Sequence, residues 1–177
     1  MLRGNMYRFL GLDIDGTLTD GSIYYSENGD EVKRFNAKDG MGIFLCVKSG
    51  IVVAFISGRY SNTIKRRAEE LGVKEVYLGV KNKRKVIEEL LEKYNIKKEE
   101  AVFVGDDIYD IPAMKIVGLP CALSDSEDMV KKFAKFVSKR NGGDGGVREI
   151  CDFILKENGI LEEIIEKTIK ELEEADY

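Results

Sequence analysis

Short apolar runs that stop at turn residues recur along the chain, and between them apolar positions return every three or four residues. Phe9-Leu10-Gly11-Leu12 ends abruptly in acids, glycines and hydroxyls, Asp13-Ile14-Asp15-Gly16-Thr17. That pattern predicts a buried strand opening into a loop. Residues 51–56 form a continuous β-branched and apolar run, as a central parallel strand requires. Shorter runs at 75–78, 101–104, 119–123 and 136–137 add further strands. Helical spacing follows Asn36 and stops at Ser49-Gly50. It recurs over 61–71, where Gly72 closes it, and over 82–94, with Val86, Ile87, Leu90 and Leu91 on one face. Pro112 suits the first turn of another helix. Ser124-Asp125 predicts a helix start running toward Phe133. A helix is expected over 147–157, and Leu161, Ile164, Ile165, Ile169 and Leu172 mark a last one.

Two features interrupt this alternation. Residues 22–35 hold two β-prone runs around Asn28-Gly29, a strong hairpin signal. An isolated hairpin is marginal in water, so this one is expected to pack on something, another subunit included. Residues 141–146 contain four glycines and are flexible by composition. Strands alternating with helices predict an α/β fold, a doubly wound, mostly parallel, Rossmann-like sheet. Residues 1–177 are expected to form one domain, with the hairpin inserted after the first strand and residues 141–177 supplying the glycine-rich loop and C-terminal helices.

Composition removes whole classes of chemistry. Histidine is absent, which excludes Ser-His, Cys-His and His-ligated metal mechanisms. A divalent metal held by carboxylates alone would be a hard ion such as Mg²⁺. The net charge is −4, which argues for neither nucleic acid nor an anionic membrane as a partner. No apolar stretch has the length of a membrane span and the start of the chain lacks a signal-peptide pattern, so a cytoplasmic protein is expected. Cys46, Cys121 and Cys151 lie far apart among apolar neighbours and read as reduced core residues.

In a doubly wound sheet, ligands bind beyond the carboxyl ends of the strands. Asp13 and Asp15, Ser57 to Arg59, and Asp106 to Asp110 all follow predicted strands, and Lys83 follows a fourth. They should converge. Asp13 and Asp106 can then offer oxygens to Mg²⁺, with a backbone carbonyl near Asp15 and water completing the shell. Ser57 and nearby N–H groups can hold phosphoryl oxygens, and Lys83 adds charge where a transition state needs it. One aspartate would be the nucleophile and Asp15 the group that protonates the leaving alcohol and activates water.

These residues carry a resemblance. Asp13-Ile14-Asp15-Gly16-Thr17, Ser57-Gly58-Arg59, Lys83 and Gly105-Asp106-Asp107-x-x-Asp110 resemble the four motifs of the haloacid dehalogenase superfamily of phosphatases. More narrowly, the chain is similar to the capless 3-deoxy-D-manno-octulosonate 8-phosphate phosphatase family. That similarity includes the hairpin, Phe35-Asn36-Ala37-Lys38-Asp39-Gly40, Gly79-x-x-x-Lys83, and Gly142-Gly143-x-Gly145-x-Val147-Arg148-Glu149. The resemblance implies Asp13 as nucleophile and Asp15 as general acid/base. It implies Mg²⁺ on Asp13, the Asp15 carbonyl and Asp106. It implies sugar-phosphate contacts from Asp15, Asn36, Ala37, Lys38, Asp39, Gly40, Arg59, Arg67 and Lys83. A small sugar-acid phosphate of lipopolysaccharide biosynthesis as substrate and a homotetramer with its hairpins gathered at the centre follow from the same source. So does a C-terminal tail that reaches a neighbouring subunit's site, against the plain-linker reading of 141–146. A nine-carbon acid-sugar phosphate is the alternative substrate. A phospho-acceptor signalling module and a catalytically silent oligomeric scaffold are the alternatives of another class.

Overall fold

The computed structural model describes residues 6–175. In chain order the elements are β1 (Phe9–Leu12), β2 (Tyr24–Tyr25), β3 (Glu31–Val32), α1 (Ala37–Lys48), β4 (Val52–Ile56), α2 (Asn62–Glu70), β5 (Glu75–Tyr77), α3 (Lys83–Lys93), β6 (Ala101–Val104), α4 (Ile111–Met114), β7 (Leu119–Ala122), α5 (Asp128–Lys131), β8 (Phe136–Val137), α6 (Gly146–Glu157) and α7 (Leu161–Glu173). Six strands form one sheet in the order β5-β4-β1-β6-β7-β8, every neighbouring pair parallel. β2 and β3 form a separate antiparallel ribbon, Tyr24 opposite Val32, closed by the turn at Gly29.

The two-residue period of the strands divides the core. Leu10, Leu12, Val53, Phe55, Val102 and Val104 face one layer, where Ile43 and Cys46 of α1, Ile64 of α2, Ile150 and Ile154 of α6, and Ile164 of α7 cover them. Phe9, Ala54, Ile56 and Phe103 face the other, against Ile87 and Leu90 of α3, Met114 of α4 and Val130 of α5. From β1 the chain builds β4 and β5 on one side, then returns to add β6, β7 and β8 on the other. The direction of winding therefore reverses between β1 and β6, which opens a crevice at their carboxyl ends.

Local chemistry explains the boundaries. Asn36 caps α1, its Oδ1 accepting from the N–H groups of Lys38 (2.8 Å) and Asp39 (3.4 Å). The helix expected to start at Ser124-Asp125 is shorter than predicted and begins only at Asp128. Asp125 is engaged elsewhere, accepting from the Gly142 N–H (2.9 Å), and Ser126 closes a turn by accepting from the Leu123 N–H (2.8 Å).

The flexible reading of 141–146 is corrected. Gly143 N–H donates to the Thr17 carbonyl (3.1 Å), and a Cβ on Gly142 would lie 2.0 Å from the Gly16 carbonyl oxygen. The loop is seated against the loop that follows β1, and only glycine permits that approach. Asp39, buried in α1, accepts from the N–H groups of Gly145 (3.3 Å) and Arg148 (2.8 Å) and so fixes the start of α6. Val147, Ile150, Cys151, Ile154 and Leu155 are fully buried. A cut after Arg140 would therefore remove part of the core and could not isolate substrate recognition. Gly142→Val should lower stability by about 1–3 kcal/mol or more, the scale of overpacking against an unyielding backbone. Denaturant titration measures it, and wild-type stability would mean that the two loops separate freely.

Candidate active site

The crevice at the winding reversal has a volume of about 360 Å³ and is lined by Asp13, Asp15, Arg59, Lys83, Asp106 and Asp110, among others. Asp13 follows β1 directly, its N–H donating to the Val104 carbonyl (3.1 Å). Ile14 turns into the core while Asp15 turns outward into the crevice, as strand alternation required. The chain then winds tightly, with the N–H groups of Thr17, Leu18 and Thr19 all donating to the Ile14 carbonyl. Gly16 sits at φ +91°, and a Cβ there would meet Asp106 Oδ2 at 2.0 Å. The glycine lets the loop after β1 close on the acid after β6.

Lys83 begins α3 and is only 6% exposed. Its ammonium donates to Asp13 Oδ1 and to Asp110 Oδ1, the latter at 2.7 Å. Asp110 Oδ2 accepts from the N–H groups of Asp106 (3.0 Å) and Asp107 (3.3 Å), which shapes the loop after β6. Asp106 itself accepts from the Thr17 hydroxyl at 3.3 Å. Ser57, at the end of β4, is buried, and its hydroxyl accepts from the Arg59 N–H (3.1 Å).

One oxygen from each of Asp13, Asp106 and Asp110 lies within 4.8 Å of the others. Three acids at that spacing repel. Burial, then the Asp110 charge, pushes Asp13 up to about 6 despite Lys83. Burial, then Asp13, pushes Asp106 up to about 9. Burial pulls the Lys83 ammonium down, but Asp13 and Asp110 more than offset it and leave it raised. One cation does not satisfy this set, and hard oxygen donors around a glycine-opened space fit Mg²⁺. With chelator present, raised carboxylates favour folding below their unfolded values near 4 and lose that contribution as pH climbs through their folded values. Chelated Asp106→Asn should therefore be more stable than chelated wild type at pH 8, with the gap closing toward pH 4. A pH series of melting temperatures tests this, and a gap that does not change with pH would refute it.

The crevice brings Asp13, Asp15, Arg59, Lys83 and Asp106 together, and Ser57 is buried at the end of β4, just before the lining residues Gly58 and Arg59. The crevice does not bring in the others. Asn36 and Asp39 are engaged as caps of α1 and α6. Ala37, Gly40 and Arg67 line a separate groove between α1 and α7. Lys38 lies beside Lys139 and Arg140. Sequence reading missed Lys33 and Glu31. The ribbon turns back over the crevice, so that Lys33, 1% exposed at its side chain, donates to Asp15 Oδ1 and to Glu31 Oε1 (3.1 Å). Glu31 and Lys33 stand two apart in an extended stretch, hence on one face. What that face meets depends on the ribbon's path, which no local pattern encodes.

Residues 75–150 match the model of the haloacid dehalogenase-like hydrolases. The 3-deoxy-D-manno-octulosonate 8-phosphate phosphatase of Escherichia coli strain K12 is 43% identical over 156 residues, 88% of this chain and 83% of that protein. A Moraxella catarrhalis 3-deoxy-D-manno-octulosonate 8-phosphate phosphatase, solved with magnesium, phosphate and KDO, superposes with a TM-score of 0.89 at 31% identity, covering 93% of this chain and 94% of that one. The cobalt-bound Haemophilus influenzae phosphatase gives a TM-score of 0.85 at 35% identity, over 89% and 92% of the two chains. Similarity of this extent means that the chain belongs to the 3-deoxy-D-manno-octulosonate 8-phosphate phosphatase family of haloacid dehalogenase-like hydrolases and is a phosphoric monoester hydrolase.

Proposed function

We propose that this protein hydrolyses 3-deoxy-D-manno-octulosonate 8-phosphate to KDO and phosphate in a Mg²⁺-dependent reaction through an aspartyl-phosphate. The observation that carries it is the meeting of Asp13, Asp15 and Asp106 across the winding reversal, beside Lys83. An Asp13 oxygen attacks phosphorus, and the bond to the sugar oxygen breaks as Asp15 supplies a proton to that oxygen. Asp15 then takes a proton from water, which attacks phosphorus and frees the Asp13 carboxylate. Asp13, the Asp15 carbonyl and Asp106 would hold Mg²⁺, which offsets the phosphate charge that the acids would otherwise repel. Lys83 and Ser57 bind phosphoryl oxygens, and Arg59 faces the sugar. Phosphate release over a panel of sugar phosphates, including nine-carbon acid sugars, tests the substrate. Chelator should abolish turnover and Mg²⁺ restore it, and Asp15→Asn should slow it by roughly 10²–10⁴-fold. Full activity in chelator would exclude the mechanism.

The ribbon leaves Ile23, Tyr24, Tyr25 and Val32 exposed. Apolar residues in such numbers on a two-stranded ribbon support the homotetramer, with ribbons gathered at its centre. Light scattering should report about four chains per particle, and a fully active monomer would contradict it. Among the described residues no helix is long and apolar enough to cross a membrane. A cytoplasmic enzyme acting on a metabolite of lipopolysaccharide synthesis is consistent with this reading.

A further inference from the structure

Lys33 follows a ribbon whose Tyr24, Tyr25 and Val32 are exposed, yet its own side chain is 1% exposed and its ammonium lies between Asp15 and Glu31. Arg59 approaches the same pair from β4's end, with Nη2 on Glu31 Oε1 (2.9 Å) and on the Tyr25 hydroxyl (2.7 Å). Its Nε stands 3.9 Å from Asp15 Oδ2, too far for a hydrogen bond. Among the described residues, Lys33 is therefore the cation hydrogen-bonded to Asp15, with Arg59 a longer ion pair, and Lys33 comes from the ribbon rather than from the sheet. Lys83, the other buried cation here, is taken by Asp13 and Asp110.

We infer that Lys33 is a positioning residue for Asp15: its ammonium fixes one carboxylate oxygen and leaves the other turned toward the leaving-group oxygen. The inference rests on the phosphatase reading above. Without Lys33, the nearest cation to Asp15 is Arg59, and the carboxylate would swing toward it, away from the reacting bond. A displacement of this kind matters because proton transfer requires hydrogen-bond distance. Glu31 holds the Lys33 ammonium from the other side, so the ribbon, and not the helical scaffold, sets the aim of the proton donor.

The experiment is a cycle of Lys33→Met, Asp15→Asn and the double variant, read on two substrates. On an alkyl phosphate such as the sugar phosphate, whose leaving oxygen needs a proton, Lys33→Met should lower kcat by about 10-fold to 100-fold with KM changed less than threefold. On 4-nitrophenyl phosphate, whose leaving group departs unprotonated, the burst rate of nitrophenolate release should stay within threefold of wild type. The double variant should be no slower than Asp15→Asn alone, since Lys33 acts only through Asp15. Lys33→Gln, a smaller disturbance of the ribbon, should show the same split if Lys33→Met fails to fold. Equal losses on both substrates, or losses that multiply in the double variant, would overturn the inference. A failed phosphatase reading looks different: wild type releases no phosphate, or Asp13→Asn retains turnover.

Discussion

Asp13→Asn should lower turnover by on the order of 10⁴-fold or more while the protein stays folded. The amide keeps the size of the side chain but cannot form the acyl phosphate, and the acids beside it are held in other roles. Asp15 is turned outward and held by Lys33, while Asp110 is tied to Lys83 and two backbone N–H groups. Asp106 accepts from the Thr17 hydroxyl. Stability should not fall with activity. Asp13 is buried, and its carboxyl is raised to about 6 by burial and by Asp110, so at neutral pH its ionisation costs folding free energy. Removing the charge in chelator should leave the melting temperature equal to wild type or higher. Phosphate release and thermal melts on one sample test both halves. An active Asp13→Asn would move the nucleophile elsewhere, and an unfolded one would show that Asp13 is chiefly structural.

The second large effect is expected at Lys83, where function and stability should fall together. Lys83→Ala removes the cation shared by two buried carboxylates. Breaking a buried ion pair from one side typically costs about 3–5 kcal/mol, because the partners are left charged and unpaired. The transition state should lose a further 2–4 kcal/mol or so, roughly 30-fold to 10³-fold in kcat/KM, by the scale of a missing oxyanion donor. Mg²⁺ should recover part of the stability, since it meets the same acids, but not the rate. If Lys83→Ala unfolds at the wild-type temperature in chelator, Asp13 and Asp110 are not relying on it. If kcat/KM is unchanged, the phosphoryl group does not reach it.

The acids after β1 and β6 were legible because strand ends are marked locally: an apolar run, then Asp and Gly. The same holds for Ser57 and for Lys83 after Asn82, the cap of α3. Asn36 and Asp39 were legible as polar residues at a helix start, but their use was not. Asn36 closes its own helix, and Asp39 reaches α6, 109 residues away at Arg148. Composition made 141–146 look loose, since glycine reports conformational freedom and not the neighbour that a missing side chain admits. Lys33 escaped for a related reason. A lysine on a short ribbon looks solvated until the ribbon's fold over the crevice is known.

The seat of Gly142 and Gly143 against Gly16 and Thr17 bears on the order in which the protein comes into being. The loop bearing the proposed nucleophile leaves the ribosome well before Gly142 and Gly143, the residues that hold it in shape, are made. With 109 residues between Asp39 and Arg148, translation at about 5–20 residues per second separates the two by roughly 5–20 s. During that interval β1, α1 and β4 are present without α6, and the apolar face that α6 covers stays open to water or to a chaperone. The loop after β1 thus lacks its seat until Gly142 and Gly143 have been made. Chains that stall before Gly142 should emerge inert toward phosphate esters and prone to aggregate.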